Sequence, residues 1–402
     1  MIRVWRALGV AVAAVVLLGA AAGGAQAAAA PLGLIPSGAL LLYEQDTGTV
    51  VYARDASSEL PIASTTKMMT ALVTVAHERA DAVLTERDYD AQPGESLAPV
   101  PVGARLGLAD MLRAMLLPSG NNVAYSLAID VAGSEARFVA MMNAEAARLG
   151  MRHTHFTTPI GLDTPPGNHS TALDLARLAD AVLRVPLLAK IVREPHARLA
   201  DGIVLENLND LLGRYAWVVG VKTGHTAEAG WCLVAAASRN GVHLTSVVLG
   251  APTFAAQDAD TLAMLRLGLR SYERVPIARA GQVFATLPVV GRPRPVRLVA
   301  ARSAALVVAR STPLHAARVG VPRRLLGPLP AGAVEGHIRV REDGRVVAEV
   351  ALVTATAVRA PKPSSTLVWV IVGAVGLTGL LLGCSLPLMR RRALRSTLGT
   401  PG

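Results

Sequence analysis

Residues 61–69 read Pro61-Ile62-Ala63-Ser64-Thr65-Thr66-Lys67-Met68-Met69, and the run continues Thr70-Ala71-Leu72-Val73-Thr74-Val75-Ala76. At helical period Ser64, Lys67, Met68, Ala71 and Val75 share one face, so a hydroxyl and an amine one turn apart sit on an otherwise apolar stripe. Burying an ammonium is costly, and the usual response is a lowered pKa that leaves a neutral amine, which is what a serine needs beside it to act as a nucleophile. A lone S-x-x-K is more often a lysine snorkelling off the edge of a core helix, so other stretches must decide.

The rest of the chain sets the frame. Its 402 residues are enough for two or three domains with real cores. At the start, Arg3 and Arg6, the apolar run from Ala7 to Leu18 and the small residues Ala25-Gln26-Ala27 read as a secretory signal over 1–27. Near the end, 366–389 is about one bilayer thickness of uncharged helix, followed by Arg390-Arg391-Arg392 and Arg395. Arginines stay inside, so the expected setting is the cell membrane, crossed once, with the preceding domains extracytoplasmic. The two cysteines, Cys232 and Cys384, fall in different environments, which argues against a disulfide between them. The net charge is +11, but only 3% of residues are aromatic and none interleave with a basic cluster, which argues against nucleic acid as a partner.

Two short apolar runs, Ala39 to Glu44 and Val50 to Ala53, flank the turn Asp46-Thr47-Gly48 and predict a hairpin. A helix follows at Ser64. Residues 85–102, with Pro93, Gly94, Pro99 and Pro101, predict loops with short strands. Helical spacing returns over Leu108 to Leu117, is closed by Pro118 and resumes after Ser119-Gly120-Asn121-Asn122. Ser134 and Thr171 then cap two further helices. Past residue 200 the pattern is of strands: 217–223, 231–237 and 242–249, the last two joined by Asn240-Gly241. Residues 259–269 predict a closing helix. Strands at both ends and helices between them predict an α+β fold, one antiparallel sheet flanked by helices with a helical subdomain, over 28–271. Residues 272–359 predict a small all-β domain with a hairpin at Glu342-Asp343-Gly344, followed by a linker over 360–365, the membrane span over 366–389 and a basic cytoplasmic tail over 390–402.

Three motifs occur in order: Ser64-Thr65-Thr66-Lys67 at a helix start, Ser119-Gly120-Asn121 in an interhelical turn and Lys222-Thr223-Gly224 on a strand. Each is weak alone; in this order and context they are strong, and the triplet resembles that of class A β-lactamases and penicillin-binding proteins. The flanking residues resemble, more narrowly, the low-molecular-mass penicillin-binding proteins of the serine-type D-alanyl-D-alanine carboxypeptidase family. That likeness rests on Pro61 to Leu72, Pro118 to Asn122, Phe156 to Leu162, Ser170 to Ala176 and Lys222-Thr223-Gly224-His225-Thr226-Ala227-Glu228-Ala229-Gly230, and covers roughly 35–270.

The resemblance implies a β-lactamase/DD-peptidase-like fold and no cofactor or metal. It implies Ser64 as nucleophile, Lys67 as its base, Ser119 and Asn121 completing the catalytic set, and Lys222, Thr223, Gly224 and His225 binding substrate. Peptidoglycan stem peptides would be the partners, and β-lactams would acylate the same serine. Gly224 is expected to leave room for a substrate strand, and the Ser64 and His225 N–H groups to form the oxyanion pair. Three departures stand out: Asn122 where the family commonly has Asp, Ile160 where it often has His, and His243 where an Arg is expected to hold the substrate carboxylate, with Arg193 or Arg198 as candidates to compensate. Two alternatives remain open, a DD-endopeptidase of cross-links and a non-catalytic penicillin-binding wall scaffold. A β-lactamase is disfavoured, because no glutamate is placed for deacylation. Asn168-His169-Ser170 is a glycosylation sequon by pattern, and His153, His155, Asp163 and His169 match no closed ligand set.

Overall fold

The computed structural model describes residues 37–163 and 167–359. The signal, linker, membrane-span and tail readings at 1–27, 360–365, 366–389 and 390–402 lie outside the described residues. Among those described, no helix is long and apolar enough to cross a membrane. Among the described residues the chain forms two compact units, one of 37–239 and 243–270, the other of 271–359 with 240–242.

The first unit is built on β1 (Ala39–Glu44), β2 (Thr49–Arg54), β3 (Val218–Thr226), β4 (Gly230–Arg239) and β5 (Val242–Ala251), in the order β2-β1-β5-β4-β3. The first and last strands of this sheet in chain order meet in its middle, because β1 pairs antiparallel with β5, Leu41 against Val247. The unbroken apolar run of β1 follows from burial on both faces. Leu41 belongs to the core shared with the helices, while Leu42 and Leu244 turn the other way, toward Gly268. The hairpin between β4 and β5 closes with Asn240 and Gly241 both at positive φ, the twist that a two-residue turn requires.

In sequence, between the two halves of the sheet, come α1 (Lys67–His77), α2 (Leu108–Leu116), α3 (Asn121–Ala132), α4 (Glu135–Arg148), α5 (Ala172–Arg184) and α6 (Pro186–Ile191); α7 (Phe254–Ser271) follows β5. Met69, Leu112, Leu127, Phe138 and Leu178 are each 0% exposed and bring five of these helices into one core. The capping expectations correspond to real bonds: Ser134 Oγ accepts from Arg137 N at 3.3 Å and Thr171 Oγ1 from Asp174 N at 3.1 Å. α7 starts five residues before the apolar periodicity does, because Thr253 caps it, its Oγ1 accepting from Ala256 N at 3.1 Å.

The second unit contains β6 (Tyr272–Ala278), β7 (Val283–Val289), β8 (Arg292–Ala300), β9 (Ala304–Ala309), β10 (Leu314–Val319), β11 (Val334–Glu342) and β12 (Arg345–Thr354). Its main sheet runs β7-β8-β12-β11-β10, and β6 pairs with β9. Leu298, Val340, Val350 and Leu352 alternate inward from three of these strands to form a small core of their own.

Candidate active site

The serine and lysine of the opening stretch approach each other by a tighter route than an α-helix. Residues Ala63–Thr66 form a 3-10 turn that runs directly into α1. In that geometry residues three apart eclipse, so Ser64 and Lys67 stand one above the other and Lys67 Nζ lies 2.9 Å from Ser64 Oγ. Lys67 is 0% exposed. Its Nζ also reaches Asn121 Oδ1 at 2.6 Å and the Ile160 carbonyl at 2.9 Å. Burial holds its pKa well below the ordinary lysine range, the neighbouring charge of Lys222 adds to this, and Glu95 opposes both.

The second motif sits in the α2–α3 connection. Ser119 adopts φ +64, uncommon for a residue with a side chain, and its buried Oγ has no hydrogen-bond partner among the described residues. The next position tolerates only glycine, since a Cβ on Gly120 would lie 2.7 Å from the Ala114 carbonyl. That squeeze delivers Asn121 to the first turn of α3, facing Lys67. Asn122 does something else: its Oδ1 accepts from Ala98 N at 2.9 Å and its Nδ2 donates to Ala98 O at 3.0 Å, which an aspartate could not do.

Lys222 is 2% exposed on β3, its Nζ donating to its neighbour's carbonyl, Thr223 O, at 2.9 Å. Burial pushes its pKa down to about 7. Gly224 has a different reason for being glycine than the one expected. A Cβ there would stand 3.0 Å from Ser64 N and 3.1 Å from Thr65 N, so the missing side chain lets β3 close on the nucleophile turn. His225 is exposed and stacks on Trp231 with ring centroids 4.0 Å apart. A hollow lined by Ala63, Gly161, Leu162, Asp163, Asn168 and Glu228 lies beside the residue that precedes Ser64.

His243 does not join these residues, which corrects its assignment to the substrate carboxylate. Thr223 pairs with Leu233 on β4, whereas His243 stands near the Asn240-Gly241 turn at the far end of that strand, roughly 16 Å away at strand rise. Its Nδ1 lies 3.0 Å from Asp46 Oδ2. Arg193 lines the same hollow as His243, and Arg198 donates to the Gly202 carbonyl at 3.0 Å, so neither is tied to Lys222 or Thr223. Ile160 enters the site through its backbone carbonyl, so the side chain at that position is not what Lys67 meets. Asn168 is 4% exposed and bonded to Thr66, Thr157 and Thr158, which leaves no free amide for glycosylation.

Sequence reasoning misses Glu95. Its Oε2 accepts from Asn121 Nδ2 at 2.7 Å and from Tyr89 Oη at 2.6 Å. It lies in a Pro- and Gly-rich loop with no periodic signal, 26 residues from its partner.

Comparison with known proteins gives a consistent picture. A family model described as D-alanyl-D-alanine carboxypeptidase matches residues 25–253. The D-alanyl-D-alanine carboxypeptidase DacF of Bacillus subtilis is 30% identical over 77% of this chain and 82% of its own. A D-alanyl-D-alanine endopeptidase of Pseudomonas aeruginosa is 36% identical over 54% of this chain and 72% of its own. Among solved structures, penicillin binding protein 5 from Haemophilus influenzae superposes with a TM-score of 0.61 at 29% identity, covering 82% of this chain and 99% of that one.

Proposed function

The chain belongs to the D-alanyl-D-alanine carboxypeptidase family, and we propose that it removes the terminal D-alanine of peptidoglycan stem pentapeptides through an acyl-Ser64 ester. It is a serine peptidase with DD-carboxypeptidase activity. The observation that carries the mechanism is the buried Lys67, held on Ser64, Asn121 and Ile160 by contacts of 2.6 to 2.9 Å.

In the proposed reaction neutral Lys67 takes the Ser64 proton as Oγ bonds to the carbonyl carbon of the penultimate D-alanine. The carbonyl electrons move onto oxygen, where the Ser64 and His225 N–H groups receive them; the close approach of Gly224 to Ser64 N supports that pairing. Collapse breaks the C–N bond, and the leaving D-alanine nitrogen takes its proton by way of Ser119 Oγ, otherwise unpartnered among the described residues. Water then hydrolyses the ester, releasing the shortened peptide and restoring Ser64–OH. The substrate carboxylate is assigned to the Lys222 ammonium and the Thr223 hydroxyl. β-Lactams enter as acylating mimics of the same carbonyl. The extracytoplasmic, membrane-anchored setting rests on the sequence at 1–27 and 366–389.

D-alanine release from a pentapeptide ending in D-Ala-D-Ala is the direct assay, with loss of release in Ser64→Ala. A protein labelled at Ser64 by penicillin that releases no D-alanine would instead be a penicillin-binding scaffold. The likeness to the Pseudomonas endopeptidase supports a second reading, cleavage of cross-bridges. Cross-linked dimer muropeptides offered beside the pentapeptide separate the two: the carboxypeptidase reading predicts faster turnover of the pentapeptide.

A further inference from the structure

A side-chain amide has two orientations of nearly the same shape, and its partners decide between them. Asn121 has a decisive one. The Glu95 carboxylate can only accept, so the NH2 end of Asn121 must face it, at 2.7 Å, and Oδ1 must face Lys67 Nζ, at 2.6 Å. Glu95 is itself fixed: Tyr89 Oη donates to Oε2 at 2.6 Å and Gln92 N to Oε1 at 3.0 Å. Its loop is fastened to α3 by Asn121 N, which donates to Ser96 O at 2.8 Å, and by both amide atoms of Asn122 on Ala98.

The consequence falls on Lys67. A neutral amine has two N–H bonds and one lone pair. The Ile160 carbonyl and Asn121 Oδ1 are pure acceptors, and each takes one N–H. The lone pair is then left for the third neighbour, Ser64 Oγ at 2.9 Å, whose hydroxyl donates to it. Were the Asn121 amide reversed, its NH2 would occupy that lone pair, and Lys67 would offer Ser64 an N–H in its place. We infer that Glu95 is a positioning residue for acylation, orienting the Asn121 amide so that the lone pair of neutral Lys67 points at Ser64. The inference rests on Lys67 being the base of Ser64.

Two charged groups act on Lys67: Lys222 from β3, which lowers its pKa, and Glu95, which raises it. Removing the Glu95 charge therefore lowers the Lys67 pKa further and moves the acid limb of the acylation profile to lower pH. A packing residue would leave that limb in place.

The experiment is the second-order rate of acylation by a fluorescent penicillin from about pH 5 to 10, with thermal melting alongside, on the full chain and on Glu95→Gln and Glu95→Asp. The amide introduced by Glu95→Gln can donate or accept, so it no longer fixes the orientation of Asn121. The expected result is a plateau about tenfold or more below wild type for Glu95→Gln, an acid limb displaced to lower pH, and a partial recovery in Glu95→Asp, which stays acceptor-only. Coincident wild-type and Glu95→Gln profiles would overturn the proposal. So would a plateau that falls in step with melting temperature while the limb stays fixed, or Glu95→Gln and Glu95→Asp variants that are equally slow. The underlying assignment fails separately: Lys67→Arg acylated at the wild-type rate removes the base, and the Glu95 proposal with it. An inert Lys67→Arg beside an unaltered Glu95→Gln overturns the Glu95 proposal alone.

Discussion

The helix-start region and the β3 region each bury a lysine, and they equip it differently. Lys67 has three neighbours from three separate segments, Ser64, Asn121 and Ile160, and two of these are acceptors that stay put whatever its charge. Lys222 has its neighbour Thr223, through the carbonyl at 2.9 Å and the hydroxyl at 3.4 Å. The first arrangement uses up the donors of a neutral amine and leaves a lone pair. The second leaves one N–H of the ammonium over for an anion. Two lysines with lowered pKa values thus suit opposite tasks, proton acceptor and carboxylate holder, and only four of the chain's 40 lysines and arginines are lysines at all. Arginine could serve neither role in the same way, because it does not give up its proton.

Breaking the first arrangement has the largest expected effect. Lys67→Arg keeps the charge but cannot become a neutral base, and D-alanine release and penicillin acylation should fall by about a thousandfold or more while the protein remains folded by circular dichroism. Lys222→Gln should cost less, about a hundredfold in kcat/KM on the peptide, mostly through KM.

That variant also sharpens the comparison through pH. In the wild type, kcat/KM should rise with pH as Lys67 loses its proton and fall as Lys222, with a pKa of about 7, loses the charge that holds the carboxylate. Lys222→Gln should remove the falling limb. Because the Lys222 charge depresses the Lys67 pKa, removing it in Lys222→Gln should also move the rising limb to higher pH. An unmoved rising limb would mean the two lysines do not feel each other.

Gly224→Ala tests the seam between the two regions. A methyl 3.0 Å from Ser64 N requires β3 and the nucleophile turn to part by a few tenths of an ångström, and acylation should fall about tenfold while the melting temperature shifts by only a few degrees. The smallest effect belongs to His243→Ala, for which peptide turnover should stay within about twofold of wild type, since His243 lies on Asp46 at the other end of the sheet.

These contrasts also mark how much of the molecule the sequence discloses. Ser64 and Lys67, Ser119 and Asn121, and Lys222 and Thr223 are legible because each pair is local, a few residues apart with a turn or strand signal around it. Caps at Ser134 and Thr171 are legible for the same reason. Glu95 is not, because its meaning lies in a hydrogen bond to an amide on another segment, and a loop has no period to betray it. His243 is misplaced by sequence reading because strand register over a long hairpin decides which end of a strand meets the site, and alternation alone does not fix that end. Gly224 has another neighbour than the substrate strand expected of it: its empty side-chain position faces Ser64 and Thr65.

The most direct measurement is peptide mass spectrometry of the penicillin-treated protein, digested and searched for the adduct. If Lys67 activates Ser64, there will be a single acyl adduct on Ser64, and Lys67→Arg will lack it. An adduct on Ser119 or any other residue, or a Ser64 adduct that forms equally fast in Lys67→Arg, would contradict that mechanism.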